Sequence, residues 1–107
     1  MIHATKQADQ SVADEYRIVW RYTANPEREP EFLVAYRADG LWTELFRRSE
    51  AYLGSELTAL HDGSYRTIDR WRSAEDWQRF LAEHGAAYLL LDEACEELTL
   101  DERKESP

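Results

Sequence analysis

Residues 52–71 read YLGSELTALHDGSYRTIDRW, two strand-like runs on either side of Asp62-Gly63. An Asp-Gly pair between β-prone runs is the strongest short-range signal of a hairpin closed by a two-residue loop. With those two residues as the loop, Leu60 pairs with Tyr65, Thr58 with Thr67, Glu56 with Asp69 and Gly54 with Trp71. Side chains alternate along a strand, so these positions share one face with Tyr52, while Leu53, Ser55, Leu57 and Ile68 take the other. Glu56 and Asp69 then face each other, and like charges directly opposite destabilise a sheet. Three readings account for such a pair. The acids share a proton, one of them becoming a base near neutrality; they hold a cation, which two carboxylates without a histidine arrangement indicate only weakly; or arginines and backbone donors neutralise them.

Outward from the hairpin, "YRIVWRYT" at 16–23 alternates Ile18, Trp20 and Tyr22 with Arg17, Val19 and Arg21, the period of a first strand. "ANPEREP" is a loop by its prolines, and Pro30 suits the first turn of a helix carrying Phe32, Leu33, Ala35 and Tyr36 inward. Asp39 is placed to cap a second short helix, LWTELFRRS, whose Leu41, Trp42, Leu45 and Phe46 form one apolar face. After the hairpin, Ser73 with Asp76 three residues on predicts a capped helix with Trp77, Phe80 and Leu81 inward and a kink at His84-Gly85. Beyond the kink Tyr88, Leu91, Cys95 and Leu98 continue the stripe, and Leu89 and Leu90 widen it until the helix needs cover on more than one side. Leu98 and Leu100 permit a short last strand. The expected organisation is a mobile arm over 1–15, one domain over 16–101 and a frayed tail over 102–107. The fold class is α+β, with helices on one face of a four-stranded antiparallel sheet. The uncovered face, bearing Val19, Leu53, Leu57 and Ile68, predicts a homodimer packed sheet to sheet.

At 107 residues and 43% hydrophobic content the chain supports one modest core. Its 13 basic and 22 acidic residues, net −9, repel phosphate backbones and anionic membranes, so neither nucleic acid nor a membrane is an expected partner. The longest apolar run, Ala86 to Leu91, is far short of a membrane span, and a cytoplasmic protein is expected. Cys95 is the single cysteine and falls in the helical stripe, where a core thiol is expected. No phosphate-binding loop, dinucleotide fingerprint, nucleophile elbow or zinc motif occurs, and no cofactor or metal is expected. The aromatics Trp20, Trp42, Phe46, Tyr52, Tyr65, Trp71 and Trp77 either fill the core or wall a pocket for a flat organic ligand, with His84 the one histidine in an apolar context.

GLWTELFRRSEAYLGSEL (40–57) followed by YRTIDRWRSAEDWQRF (65–80) resembles the antibiotic biosynthesis monooxygenase family of dimeric α+β barrels, over about residues 16 to 100. The resemblance implies a ferredoxin-like βααββααβ protomer, a dimer formed through the sheets, and a pocket between each sheet and its own helices. The haem-degrading branch of that family carries an asparagine on the first strand and a tryptophan and a histidine after the strand-end tryptophan. Strand one here has no asparagine, and the other two positions hold Phe80 and Leu90, so that branch is not matched. The resemblance instead implies a cofactor-independent monooxygenase of a phenolic, quinol or polyketide-like aromatic. Its pocket positions match Trp42, Tyr65, Asp69 and Trp71. The expected site is Asp69 or Glu56 as base, with Trp42, Phe46, Tyr52, Tyr65, Trp71 and His84 binding substrate. A dimeric binding or accessory protein without catalysis, holding a small aromatic or other apolar molecule or a protein partner on the same fold, is the alternative.

Overall fold

A computed structural model describes residues 15–106, so the expected N-terminal arm lies, but for Glu15, outside the described residues. The chain runs β1 (Tyr16–Ala24), α1 (Glu29–Tyr36), α2 (Leu41–Phe46), β2 (Tyr52–Ala59), β3 (Tyr65–Trp71), α3 (Ala74–Cys95) and β4 (Thr99–Ser106). Short 3-10 turns at Pro26–Arg28 and Glu96–Leu98 lead into α1 and out of α3. The strands form one sheet in the order β2-β3-β1-β4, and each pairing is antiparallel. The α+β class and the four-stranded antiparallel sheet are as the periodicities predict.

The hairpin differs from its predicted register by one residue. Leu60 N–H donates to the Ser64 carbonyl at 2.8 Å and Gly63 N–H to the Leu60 carbonyl at 3.1 Å, so the loop is the three residues His61, Asp62 and Gly63. Gly63 sits at φ +89°, the left-handed residue that closes a three-residue loop as a bulge. Asp62 fixes this geometry: its Oδ1 accepts from Ser64 N–H at 3.0 Å, and its Oδ2 accepts from Arg21 at 2.7 Å. Ser55 therefore pairs with Asp69, Leu57 with Thr67 and Glu56 with Ile68. A second offset follows at Leu53/Gly54, where Gly54 takes φ +137°, a region open essentially to glycine alone, and Tyr52 comes opposite Trp71. The two offsets return Tyr52 to the helix side of the sheet but leave Glu56 on the far side.

Other elements refine the expectation in smaller ways. Gly40, not Asp39, is the N-cap residue of α2; Asp39 is exposed and pairs with Arg37 at 3.2 Å. Ser73 caps α3, its hydroxyl accepting from Asp76 N–H at 3.1 Å, and the helix kinks at His84 as predicted. Leu89 and Leu90 are exposed on the single chain rather than covered. The charged segment expected to fray supplies most of β4: Glu102, Arg103 and Lys104 pair with Tyr22, Arg21 and Trp20. Backbone pairing to a central strand outweighs the weak apolar pattern there.

Between helices and sheet lie two packed clusters. One joins Ile18, Leu45, Phe46, Trp71, Trp77 and Phe80; the other joins Tyr22, Phe32, Ala35, Tyr36, Cys95 and Leu98. Trp20, Trp42 and Leu91 pack against both.

Candidate functional site

At the seam between the two clusters is a cavity of about 160 Å³. β1 contributes Ile18, Trp20 and Tyr22, alternate residues on the helix side of the sheet. β2 and β3 contribute Ser55, Thr67 and Asp69; α1 and α2 contribute Tyr36, Trp42, Thr43 and Phe46; α3 contributes Trp77, Tyr88 and Asp92; and β4 contributes Glu102. The walls are aromatic. Among the described residues the charged groups in the lining are three carboxylates, with no lysine, arginine or histidine.

Asp69 lies on the sheet floor of this cavity. It is partly accessible because it borders the cavity, but burial pushes its pKa up to about 6, more than its bond to Ser55 lowers it. No arginine neutralises it among the described residues: the neighbouring guanidinium groups pair elsewhere, Arg70 with Glu15 and Arg72 with Asp76. Its Oδ1 is 2.6 Å from Ser55 Oγ, which also contacts Tyr52 OH. Tyr52 OH is 3.1 Å from Thr43 Oγ1, and Thr43 donates to the Ala38 carbonyl at 2.7 Å. Burial also raises Tyr88, to about 12, and Tyr22 and Tyr36 above their ordinary range. Asp92 and Glu102 are solvent-exposed where they border the cavity, and Glu102 is raised by desolvation and then by Asp92.

Of the buried donors without a partner among the described residues, two border the cavity, while Trp71 Nε1 lies in the core. Trp42 Nε1 and Thr67 Oγ1 are buried and line the cavity without a hydrogen bond of good geometry among the described residues, although Tyr36 and Cys95 stand near Trp42 and the Tyr22 hydroxyl stands near Thr67. Buried polar atoms without partners are uncommon in folded proteins and need an explanation. A ligand hydroxyl or oxyanion would satisfy them.

Of the site residues expected from sequence, Asp69, Trp42 and Phe46 line the cavity together. Tyr52 stands one hydroxyl behind Asp69. Trp71 is fully buried core, its ring centroid 5.1 Å from those of Trp77 and Phe80, and is not part of the lining. Tyr65 packs 5.0 Å from Phe32 and donates to Glu29, at the other cluster. His84 lies against Phe80 at the kink, outside the lining. Glu56 is exposed on the opposite face from Asp69, so the facing-carboxylate pair does not form. Sequence reasoning missed Ser55, because the register was one residue off, and Tyr88 with Asp92, whose four-residue spacing on α3 points both the same way. Among the described residues no three His, Cys, Asp or Glu side chains gather as a metal cage, and no helix is long and apolar enough to cross a membrane.

No family model matches the chain, and no curated protein matches it. Among solved structures it is similar to SnoaB, a cofactor-independent oxygenase from Streptomyces nogalater, at 21% identity and TM-score 0.62, covering 88% of this chain and 93% of that one. It is also similar to PA3566 from Pseudomonas aeruginosa, at 17% identity and TM-score 0.56, over 88% and 92% of the two chains. A conserved protein from Methanosarcina mazei Go1 follows at 14% and 0.53, over 86% and 91%. At these identities the likeness is one of fold: over most of its length the chain shares the α+β architecture of a cofactor-independent oxygenase.

Proposed function

We propose that this protein is a cofactor-independent monooxygenase of a small, uncharged phenol or hydroquinone, with Asp69 as the base that takes the substrate's hydroxyl proton. The observation that carries the reading is a carboxylate raised to about 6 on the floor of an aromatic-walled cavity. A base works best with a pKa near the working pH, and an aspartate at its ordinary 3.8 is a far weaker acceptor toward a phenol. Trp42 Nε1 and the Thr67 hydroxyl are the donors available to the oxyanion that deprotonation creates. The fold similarity to SnoaB supports the same class of chemistry.

The cavity's size selects within that class. An apolar cavity of about 150 Å³ holds one benzene ring, so a one-ring substrate fits better than a polycyclic one. Asp92 and Glu102, with no cation beside them in the lining among the described residues, disfavour carboxylated substrates. In the reaction, the phenolate gives one electron to dioxygen, and the resulting superoxide and ring radical couple as a carbon-bound peroxide. Asp69 returns its proton to the peroxide, and loss of the ring proton with cleavage of the O–O bond then leaves a quinone and one water. Dioxygen takes all the electrons from the substrate, so no external reductant enters.

Oxygen uptake with a panel of one-ring phenols and hydroquinones, and their carboxylated analogues, tests the proposal. Uptake is expected with uncharged members, falling about 100-fold or more in Asp69→Asn. Uptake no greater than that of Asp69→Asn across the panel would refute it, and tight binding without uptake would turn the site into that of a non-catalytic binding protein.

The proposal includes a homodimer formed through the outer sheet face. Val19 pairs with Ile68 there, Leu53 is exposed, and the Nε atoms of Arg66 and Arg70 are buried without partners among the described residues. A second copy would cover the apolar groups and offer acceptors to the guanidinium groups.

A further inference from the structure

Behind Asp69 runs a line of four hydrogen-bond contacts: Asp69 Oδ1 to Ser55, Ser55 to Tyr52, Tyr52 to Thr43, and Thr43 to the Ala38 carbonyl. The three hydroxyls carry three hydrogens for those four contacts. The Ala38 carbonyl can only accept, so Thr43 spends its hydrogen there. With Asp69 ionised, the carboxylate too can only accept, so Ser55 must donate to it. Tyr52 then has a single hydrogen for two neighbours, and one oxygen–oxygen contact holds no hydrogen. A proton on Asp69 Oδ1 removes the deficit. Asp69 donates to Ser55, Ser55 to Tyr52, Tyr52 to Thr43 and Thr43 to the carbonyl, and every contact is a hydrogen bond.

We infer that Ser55, Tyr52 and Thr43 form a hydroxyl relay that is complete only when Asp69 is neutral, and that this relay makes Asp69 a stronger proton acceptor. The three are positioning residues; the group that meets substrate is Asp69. Taken alone, the Ser55 bond favours the carboxylate; the demand that Tyr52 places on Ser55 reverses the sign. Desolvation acts in the same direction. The titratable groups that act on Asp69 or share its cavity are Tyr22 on β1, Tyr52 on β2, Tyr36 on α1, Tyr88 and Asp92 on α3 and Glu102 on β4, and among the described residues the lining has no cation to hold the carboxylate charged. When Asp69 takes a proton, Ser55 and Tyr52 rotate and the chain closes, so the relay stabilises the state that follows proton abstraction. This use in turnover rests on the proposed oxygenase reaction. The relay itself does not, and the test is made on the resting protein.

The Asp69 carboxyl carbon is followed by NMR against pH in protein labelled with ¹³C-aspartate, its resonance identified by its absence in Asp69→Asn. Tyr52→Phe removes the middle hydroxyl and frees Ser55 to serve the carboxylate. Thr43→Val removes the far demand and lets Tyr52 donate toward Ser55. Both variants should lower the Asp69 midpoint by about half a pH unit or more, the size of one hydrogen bond exchanged between protonation states. If Tyr52 and Ser55 merely solvate the carboxylate, Tyr52→Phe raises the midpoint, and if Thr43 serves only to hold α2, Thr43→Val leaves it in place. Either result overturns the relay. Should Tyr52→Phe fail to fold, Thr43→Val decides alone. A relay that passes this test in a protein showing no oxygen uptake would leave the relay standing and the oxygenase reading refuted.

Discussion

Asp69 is an acid held in a place that disfavours its charge, and its effect on stability therefore has a definite sign. Its folded pKa is about 6 against an ordinary 3.8, so the folded chain binds this proton more tightly than the unfolded one. The stabilisation is fully present below pH 3.8 and is lost as pH rises through 6. Asp69→Asn keeps the shape and a donor toward Ser55 but does not titrate. It should be more stable than the wild type at pH 7.5, by up to about 3 kcal/mol, and the advantage should shrink steadily between pH 6 and pH 4. Denaturant unfolding of both proteins across that range measures it, and a variant less stable than wild type at pH 7.5 would show that the carboxylate anchors the fold. Asp62 and Asp76 titrate in the opposite sense, each held down to about 2, Asp62 first by its bond from Ser64 and Asp76 first by its bond from Arg72. Their contribution is lost as pH falls, and because both proteins carry them it cancels in the comparison.

At the scale of elements, the periodicities of 16–23, 74–81 and 65–71 contain the information that makes β1, the first half of α3 and β3, because each depends on local alternation or on a cap a few residues away. The Ser73 cap and the His84 kink were legible for the same reason. Register was not, since an Asp-Gly pair closes either a two-residue or a three-residue loop, and the choice turns on contacts such as Arg21 with Asp62 that are distant in sequence. The site inherits that limit: Asp69, Trp42 and Phe46 were readable from their own strand and helix, whereas Ser55 and Glu102 depend on which residues pair across strands. Gly54 is the element-scale test. At φ +137° an alanine is strained, and its Cβ would lie 3.1 Å from Arg70 Nη2. Gly54→Ala should cost about 1 to 3 kcal/mol in urea unfolding with an unchanged slope against denaturant. A loss below a few tenths of a kcal/mol would mean that the bulge relaxes without glycine.

For the whole molecule, the helices leave one face of the sheet bare, and the register makes that face less apolar than the sequence suggested, because Leu57 turns inward against the second cluster. Val19, Leu53 and Ile68 remain on it beside Arg66 and Arg70. Sedimentation at micromolar concentration should give a dimer, and Ile68→Asp, which sets a charge in the middle of that face, should give a folded monomer. A wild-type monomer under those conditions would remove the dimer from the proposal.

The two offsets around β2, one in the loop and one at the Leu53/Gly54 bulge, also bear on how this chain is compared with others. A column-by-column alignment to a hairpin with a two-residue turn and no bulge would set Glu56 where Ser55 stands and still place Tyr52 on the correct side. Only two gaps, each one residue wide, restore the true correspondence. Residue-level transfer of function across this strand therefore depends on gap placement more than on percent identity.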